Sequence, residues 1–412
     1  MSVPLRRNRD FVLLWSGLTV SEVGTATTTL ATPLLILAMT HSTVTAGVVV
    51  TITAVAATVI RLPAGAVADR FDRRRLLMVT AVVRLIVALS LAATIVLHAS
   101  QVWLVAVLVT VIAVSEAVSL PAEMSAVSQV VPADQLSTAY AGNEGRSYAA
   151  SLIGPSLGGL LYGIGRAIPF WFDAASYVFA LVTAALIRSD LRPRSDLDPA
   201  AQSPKRSGFA RDMGDGMRVV LGDAFLRAVL VIAPLVNFAL TGAVFALTVV
   251  LRQSGFDAGL VGGANAVFAV GGLVGAMLAP RLIARLKIAP LIRLAILVTV
   301  ASVGVEAILA GTLFMAVPLV VAALFAPAFN AALFTRIGLE VPAKLQGRVL
   351  SVVILLATAS AALAPAATGL LLHITTAGAA IGILTGLLMV ASIASFTLSG
   401  LRRAPSPYLQ SD

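Results

Sequence analysis

The sequence contains no cysteine. That excludes a disulfide framework, thiolate catalysis and a thiol-held metal centre. Histidine is nearly as scarce: His41, His98 and His373 fall in three separate predicted loops, so no metal site is expected. Charge is thin as well. Asp, Glu, Lys and Arg make up 12% of the chain, where a soluble domain carries about 25%. No Gly-x4-Gly-Lys-Ser/Thr loop occurs, so the chain has no Walker-type phosphate cradle for ATP, and no cofactor is expected. The net charge of +10 does not point to nucleic acid, because the cations sit in short loops between apolar runs and form no basic face.

What the chain has in quantity is apolar surface. It is 59% hydrophobic over 412 residues, with a mean hydropathy of +0.98. About 20 apolar residues cross a bilayer, and twelve runs are long enough: 11–39, 44–68, 76–97, 102–121, 137–163, 167–187, 225–251, 258–283, 289–311, 313–335, 346–372 and 376–400. The first is too long for a signal-peptide core and lacks a small-residue cleavage site, so it is expected to stay as a membrane helix. Gly, Ala, Ser and Thr crowd the interiors of the runs, which lets helices pack closely in lipid. The fold class expected is therefore all-α, a membrane protein of twelve spans.

Lys and Arg set the orientation. With both termini inside, every inner segment carries cations, while the outer loops carry only Arg166 and Arg252. A cytoplasmic membrane with both termini in the cytoplasm is the expected setting. The longest polar stretch, 188–223, divides the chain into a six-span bundle at 1–187 and another at 224–412. It contains Pro193, Pro199 and Pro204 and reads as a linker. Within it, residues 208–220 place Phe209, Met213 and Met217 on one helical face, either an amphipathic helix on the inner membrane surface or a plain spacer. The halves echo each other at one offset: Val131-Pro132-Ala133 with Val341-Pro342-Ala343, Pro155 with Pro365, Gly159 with Gly369, and Gly65 with Gly275. A duplicated six-helix unit, as in many carriers, accounts for this.

Between the second and third spans lies Gly65-Ala-Val-Ala-Asp69-Arg70-Phe-Asp72-Arg73-Arg74-Arg75. Asp69 closes an apolar helix, where the backbone dipole disfavours an anion, so it needs a neighbouring cation or another helix's N-terminus. The second half has no acid at the matching place. In the fifth span, Pro155 removes a backbone hydrogen bond and kinks the helix, while Gly154, Gly158 and Gly159 leave a smooth face for a neighbour. The element either rocks and seals an interface or packs passively. The overlapping Gly154-Pro-Ser156-Leu-Gly158 is not a hydrolase nucleophile elbow, which requires a strand–turn–helix setting.

These elements, with Asn8-Arg-Asp-Phe11 before the first span, resemble the major facilitator superfamily and, within it, the bacterial drug exporters related to macrolide efflux proteins and the enterobactin exporter. The resemblance covers all twelve spans. It departs in two places. The family usually has Gly where Asp72 stands; Asp is accepted where the chain turns left-handed. The first two glycines of the family's antiporter motif are Ala141 and Ala150 here. The resemblance implies two pseudo-symmetric bundles alternating access. Gly65, Asp69, Arg70, Arg73 and Arg74 would form a gating loop, and Asp69 would meet the start of the eleventh helix near Arg348. Gly154, Pro155, Gly158 and Gly159 would belong to the same gating machinery.

Charges inside the spans are expensive, about 2.5–3.5 kcal/mol each on the mild insertion scale, and so must face a cavity or a partner. Glu22 lies about 16 Å in from Phe11 at 1.5 Å per residue, near the bilayer midplane. It is the first candidate for a proton or cationic-substrate site, the other reading being a carboxyl held by Ser21 or Thr25. Glu116 and Arg146 both fall in the inner half by similar counting and could pair across the fourth and fifth spans, either as a structural lock or as a proton-sensitive gate. Glu306 is a further candidate acid in the outer half of the ninth. Asp173 is read as a cap of the sixth helix. Arg61 and Arg84 are read as reaching the inner surface by snorkelling. Glu144 is the remaining charge, and Asn237, Asn265 and Asn330 either line a cavity or bond between helices.

The function that follows is secondary transport and not enzymatic catalysis. The expected activity is export of a lipophilic small molecule, such as an antibiotic, against inward protons, by a monomer whose partners are substrate, protons and lipid. A siderophore or metabolite carrier of the same fold is the first alternative, and a non-transporting membrane receptor or scaffold the second.

Overall fold

Helix starts are written into the sequence. Asn8, Ser42, Asp72, Asp223 and Thr376 each accept a backbone N–H with their side chain, from Phe11, Thr45, Arg74, Leu226 and Ala379 respectively, which satisfies one of the orphan donors of a first turn. The computed structural model describes residues 5–191, 209–286 and 288–398. Among these residues the regular structure is helical throughout. Six long helices come first: α1 (Arg9–Thr40), α2 (Thr43–Arg70), α3 (Arg73–Val96), α4 (Val102–Val130), α5 (Leu136–Ile164) and α6 (Ile168–Leu186). A short α7 (Phe209–Gly222) follows. Six more complete the chain: α8 (Ala224–Gln253), α9 (Ala258–Arg285), α10 (Ile288–Ile308), α11 (Ala316–Glu340), α12 (Ala343–Ile374) and α13 (Ala377–Thr397).

Among the described residues, eleven of the long helices are apolar enough to cross a membrane. The twelfth, α5, has the length but carries Asn143, Glu144 and Arg146 in its first half. Prolines sit inside α1, α2, α4, α5, α8, α9, α11 and α12 without ending them. This is tolerated where Ser and Thr hydroxyls and neighbouring helices offset lost backbone bonds.

Two compact units are present. The first holds described residues 5–191 and 256–266, the second 209–255 and 267–398. In the first, α1 packs on α5 and α6, α2 on α4, and α3 on both α4 and α6. The helix ends near the N-terminus are clasped. Asn8 Nδ2 donates to the Val130 carbonyl at the end of α4 (2.8 Å), and Asp10 accepts from the Arg188 and Ser189 amides after α6. In the second unit, α12 and α13 pack on α8, and α10 on α11 and α13. Gly271 and Gly275 of α9 lie so close to the backbone of Val320 and Leu324 on α11 that a Cβ would not fit.

The short amphipathic helix expected in the linker is present as α7, but it is not a free surface helix. Gly216 abuts the Arg348 carbonyl of α12, where a Cβ would sit at 2.7 Å. Val220 is fully buried and Met217 packs beside it in the second unit's core. The side chains of Phe209 and Met213 and all of residues 192–208 lie outside the described residues.

Candidate functional site

Five threonines and a glutamate meet in the first unit. Thr25, Thr28, Thr29 and Thr32 of α1, Thr53 of α2 and Glu116 of α4 line a cavity of about 110 Å³, with aliphatic groups and Phe170 making up the rest of its wall. Most of the hydroxyl donors are already engaged. Thr25 donates to Ser21 O, Thr28 and Thr29 to Thr25 O, Thr32 to Thr28 O and Thr53 to Val49 O. The wall therefore offers methyl groups, oxygen lone pairs and one carboxyl, and few free donors.

Charged groups gather around that cavity. Arg146 of α5, almost fully buried, faces Glu22 of α1 with Nε 3.4 Å from Oε2. The pairing expected for Arg146 was with Glu116; the structure gives it Glu22 instead. Residues 146, 150, 154 and 158 recur every four positions and share one face of α5. That face lies against α1: a Cβ on Gly158 would sit 2.6 Å from Thr27 O, and one on Gly154 would collide with Ala26. The stripe that brings the two helices together thus aims Arg146 at the acid on α1. Gly159, turned to another side, meets Ala258 and Gly262 of α9 in equally close contact. Replacing Gly158 with Val drives a branched side chain into the α1 backbone. We expect a loss of about 1–3 kcal/mol, read as a lower melting temperature in detergent, with Gly163→Val, which has open space around it, as the harmless control.

Glu116 interacts electrostatically with Arg84, Glu123, Glu22 and Arg61. Glu123 is a site residue that the sequence reading missed. The apolar run was ended at 121, yet α4 continues through Pro121 to Val130, and Glu123 accepts from Ser119 Oγ at 2.8 Å. Its spacing of seven from Glu116, two turns along one face, was the available signal. Arg84 does not snorkel to the surface. It is buried, bonds Thr80 O through Nε, and lies over the Tyr177 ring at 5.0 Å from the centroid. Arg61 and Glu144 are exposed. Asp173 does not cap α6, whose N-cap position is Ala167; it is fully buried against α1.

In the second unit, Glu306 on α10 is also fully buried, and neither carboxyl oxygen has a hydrogen-bond partner among the described residues. Asn237 and Asn265 donate to the carbonyls four residues back on their own helices, and Asn237 and Asn330 are exposed.

The loop between α2 and α3 has a different turn from the one expected. Asp72 is not left-handed: with φ −58° and ψ 119° it is the N-cap of α3. An acid at that position offsets the α3 dipole and fills an orphan amide, a role Gly cannot supply. The loop is tied to the end of α6, with Arg73 N donating to Leu191 O at 3.2 Å and Arg74 to Ala185 O. Arg73 is buried and Arg70 exposed. Gly65 has open space where a side chain would project. The side chain of Asp69 lies outside the described residues.

Long apolar helices carrying buried ionisable groups around an internal cavity define a multi-pass membrane transporter. The sequence pattern of the Major Facilitator Superfamily matches residues 14–365, and the chain belongs to that superfamily. Its architecture is the family's, twelve membrane helices in two pseudo-symmetric six-helix bundles. Solved structures agree on the fold. The nucleoside transporter NupG superposes with a TM-score of 0.74 at 14% identity, covering 96% of this chain and 99% of that one. A bacterial homologue of the human lysosomal transporter Spinster, inward-facing and unoccupied, gives 0.71 at 17% identity, covering 99% and 100%. A D-xylose–proton symporter gives 0.70 at 13%, covering 96% and 99%. No curated protein matches the sequence.

Proposed function

We propose that this protein is a monomeric secondary exporter in the cytoplasmic membrane, with both termini inside, moving a lipophilic, cationic small molecule outward in exchange for protons. The observation that carries this reading is the cavity wall. It is mainly aliphatic, its threonine donors are spent on their own helix, and its one ionisable group is Glu116. An acceptor-rich, donor-poor wall suits an apolar cation. The carboxyls of Glu22, Glu116 and Glu306 give the spans groups able to carry a proton, and the membrane potential supplies about 2.3 kcal/mol per charge per 100 mV.

A second reading has one observation in its favour. Five threonines line the cavity, and the fold is shared with carriers of nucleosides and of D-xylose. A polyol, however, needs donors as well as acceptors from its site, and this wall has few to give.

Uptake into everted membrane vesicles separates the readings. Energised vesicles are expected to accumulate cationic dyes and lose them on addition of an uncoupler. Accumulation indifferent to the uncoupler overturns antiport, and uptake of nucleosides or sugars in place of dyes overturns the substrate class. Within this reading Asp69 stabilises one access state through the start of α12 near Arg348. Asp69→Asn is expected to leave expression intact and reduce efflux at least tenfold; wild-type efflux from that variant removes the gate.

A further inference from the structure

Asp173 belongs to none of the roles above, and its surroundings are unusual for a buried carboxyl. It is 0% exposed, in the middle of the first unit. Gly24 on α1 makes room for it: a Cβ there would lie 2.7 Å from Oδ1. Its hydrogen-bond partners are all hydroxyls. Thr28 Oγ1 lies 3.3 Å from Oδ2, and Ser176 Oγ lies 3.4 Å from Oδ1.

Each of these hydroxyls has a second acceptor in reach. Thr28 can turn to Thr25 O at 3.0 Å, and Ser176 to the Asp173 backbone carbonyl at 2.7 Å. The Tyr177 hydroxyl, on the next residue of α6, bonds Thr25 Oγ1 at 3.0 Å. Two rotors can therefore donate to a carboxylate, or swing away and leave an oxygen free to accept from, or sit beside, a carboxylic acid. The shell satisfies both protonation states with no backbone movement. A merely structural acid needs only one of them.

The shell also reaches the cavity. Thr25 and Thr28 both line it, and both belong to the Asp173 network. The charged and titratable groups facing Asp173 come from two neighbouring elements and its own. They are Arg84 of α3, which lies over the Tyr177 ring and is not paired directly with the carboxyl, Glu116 of α4 across the cavity, and Tyr177 itself; α1 contributes only hydroxyls. Thr28 is six residues beyond Glu22 on α1, about 9 Å further along the axis, so this network lies on the far side of the Glu22–Arg146 pair from the N-terminus.

We propose that Asp173 is a proton-binding site, linked to the threonine-lined cavity by the hydroxyl of Thr28, with the Thr25–Tyr177 pair beside it. This rests on the proton-coupled reading of the transporter and names a carboxyl for it in α6. A proton moves through that hydroxyl by its oxygen accepting one hydrogen and releasing another, so charge leaves the network only at its ends.

The test is infrared difference spectroscopy on the purified full chain in lipid vesicles, taken between acidic and alkaline buffers in light and heavy water. It needs no substrate and reads proton binding whether or not transport occurs. A buried carboxylic C=O band that titrates is expected, absent in Asp173→Asn and retained in Glu22→Gln and Glu116→Gln. Tyr177→Phe and Thr28→Val, which keep the packing, are expected to shift the band's frequency and midpoint, so the assignment stands even if Asp173→Asn does not fold. An unchanged set of titrating bands in Asp173→Asn overturns the proposal. So does a band that stays fixed across the pH range, or one that moves with sodium in place of pH. A titrating Asp173 band in a protein whose dye uptake ignores the uncoupler leaves this site standing and removes antiport.

Discussion

Glu22→Gln is expected to destabilise the protein by about 3 kcal/mol, the low end of what breaking a buried ion pair costs, while Arg146→Gln is expected to cost about 1 kcal/mol. The asymmetry follows from what each change leaves behind. Arg146 is 8% exposed and Glu22 30%. A stranded guanidinium cannot shed its charge, and in this position it has little water. A stranded carboxyl can take up a proton and reach the solvent it already touches. The low end is chosen because Glu123 also lies within electrostatic reach of Arg146 and offsets part of the loss. Adding Glu123→Gln to Glu22→Gln removes that compensation, so the double variant is expected to lose more than the sum of the Glu22→Gln and Glu123→Gln losses. Thermal melting of purified variants in one detergent measures all four proteins. Equal losses for the two single variants, or a greater loss for Arg146→Gln, show that the pair is not the buried, asymmetric contact described here. Dye efflux should fall at least tenfold in both single variants if Glu22 carries a proton, because Arg146→Gln changes the acid's environment even where the fold survives.

That pair also shows where sequence reasoning stops. Depth along a helix is legible, because residues rise about 1.5 Å each, and depth alone matched Arg146 with Glu116, in the inner half, and left Glu22 apart. Azimuth is what decides between the two acids. It was present in the sequence as the four-residue recurrence of Arg146, Ala150, Gly154 and Gly158, but only the identity of the helix against that stripe, α1, turns the recurrence into a partner. The twelve long helices were legible because apolar length is a one-dimensional property, whereas their ends were not. α4 runs past Pro121 on Ala, Ser and Val that hydropathy alone undervalues, and this hid Glu123. Asp72 was read through the family's glycine as a left-handed residue, yet an acid before a helix is first a cap, and the α3 start confirms that simpler rule. Asp173, Ser176 and Tyr177 stand at one-turn spacing on α6 opposite the threonine-rich stretch of α1. Two hydroxyl-bearing faces of that kind signal a buried polar network before any coordinates do.

Glu306 offers the sharpest separation of stability from function. Both its oxygens are buried without a hydrogen-bond partner among the described residues, a condition that costs about 1–3 kcal/mol relative to a satisfied or apolar group. Glu306→Met keeps the length of the side chain and removes the orphan atoms. The variant is expected to be more stable than the parent by about 1–2 kcal/mol and to melt a few degrees higher. If the acid is used in transport, the same variant loses efflux at least tenfold. The two readouts moving in opposite directions identify a group kept for its chemistry at the expense of the fold. A gain in stability with efflux unchanged makes Glu306 a passive residue. A loss of stability shows that its carboxyl has a partner after all, and the second bundle then holds a satisfied polar contact in place of a proton-carrying acid. The first bundle, with Glu22, Glu116, Glu123 and Asp173, would then carry the coupling alone. That outcome fits the lack of an acid in the second half where Asp69 stands in the first: a duplicated fold need not duplicate its chemistry, since each intramembrane charge must be offset separately.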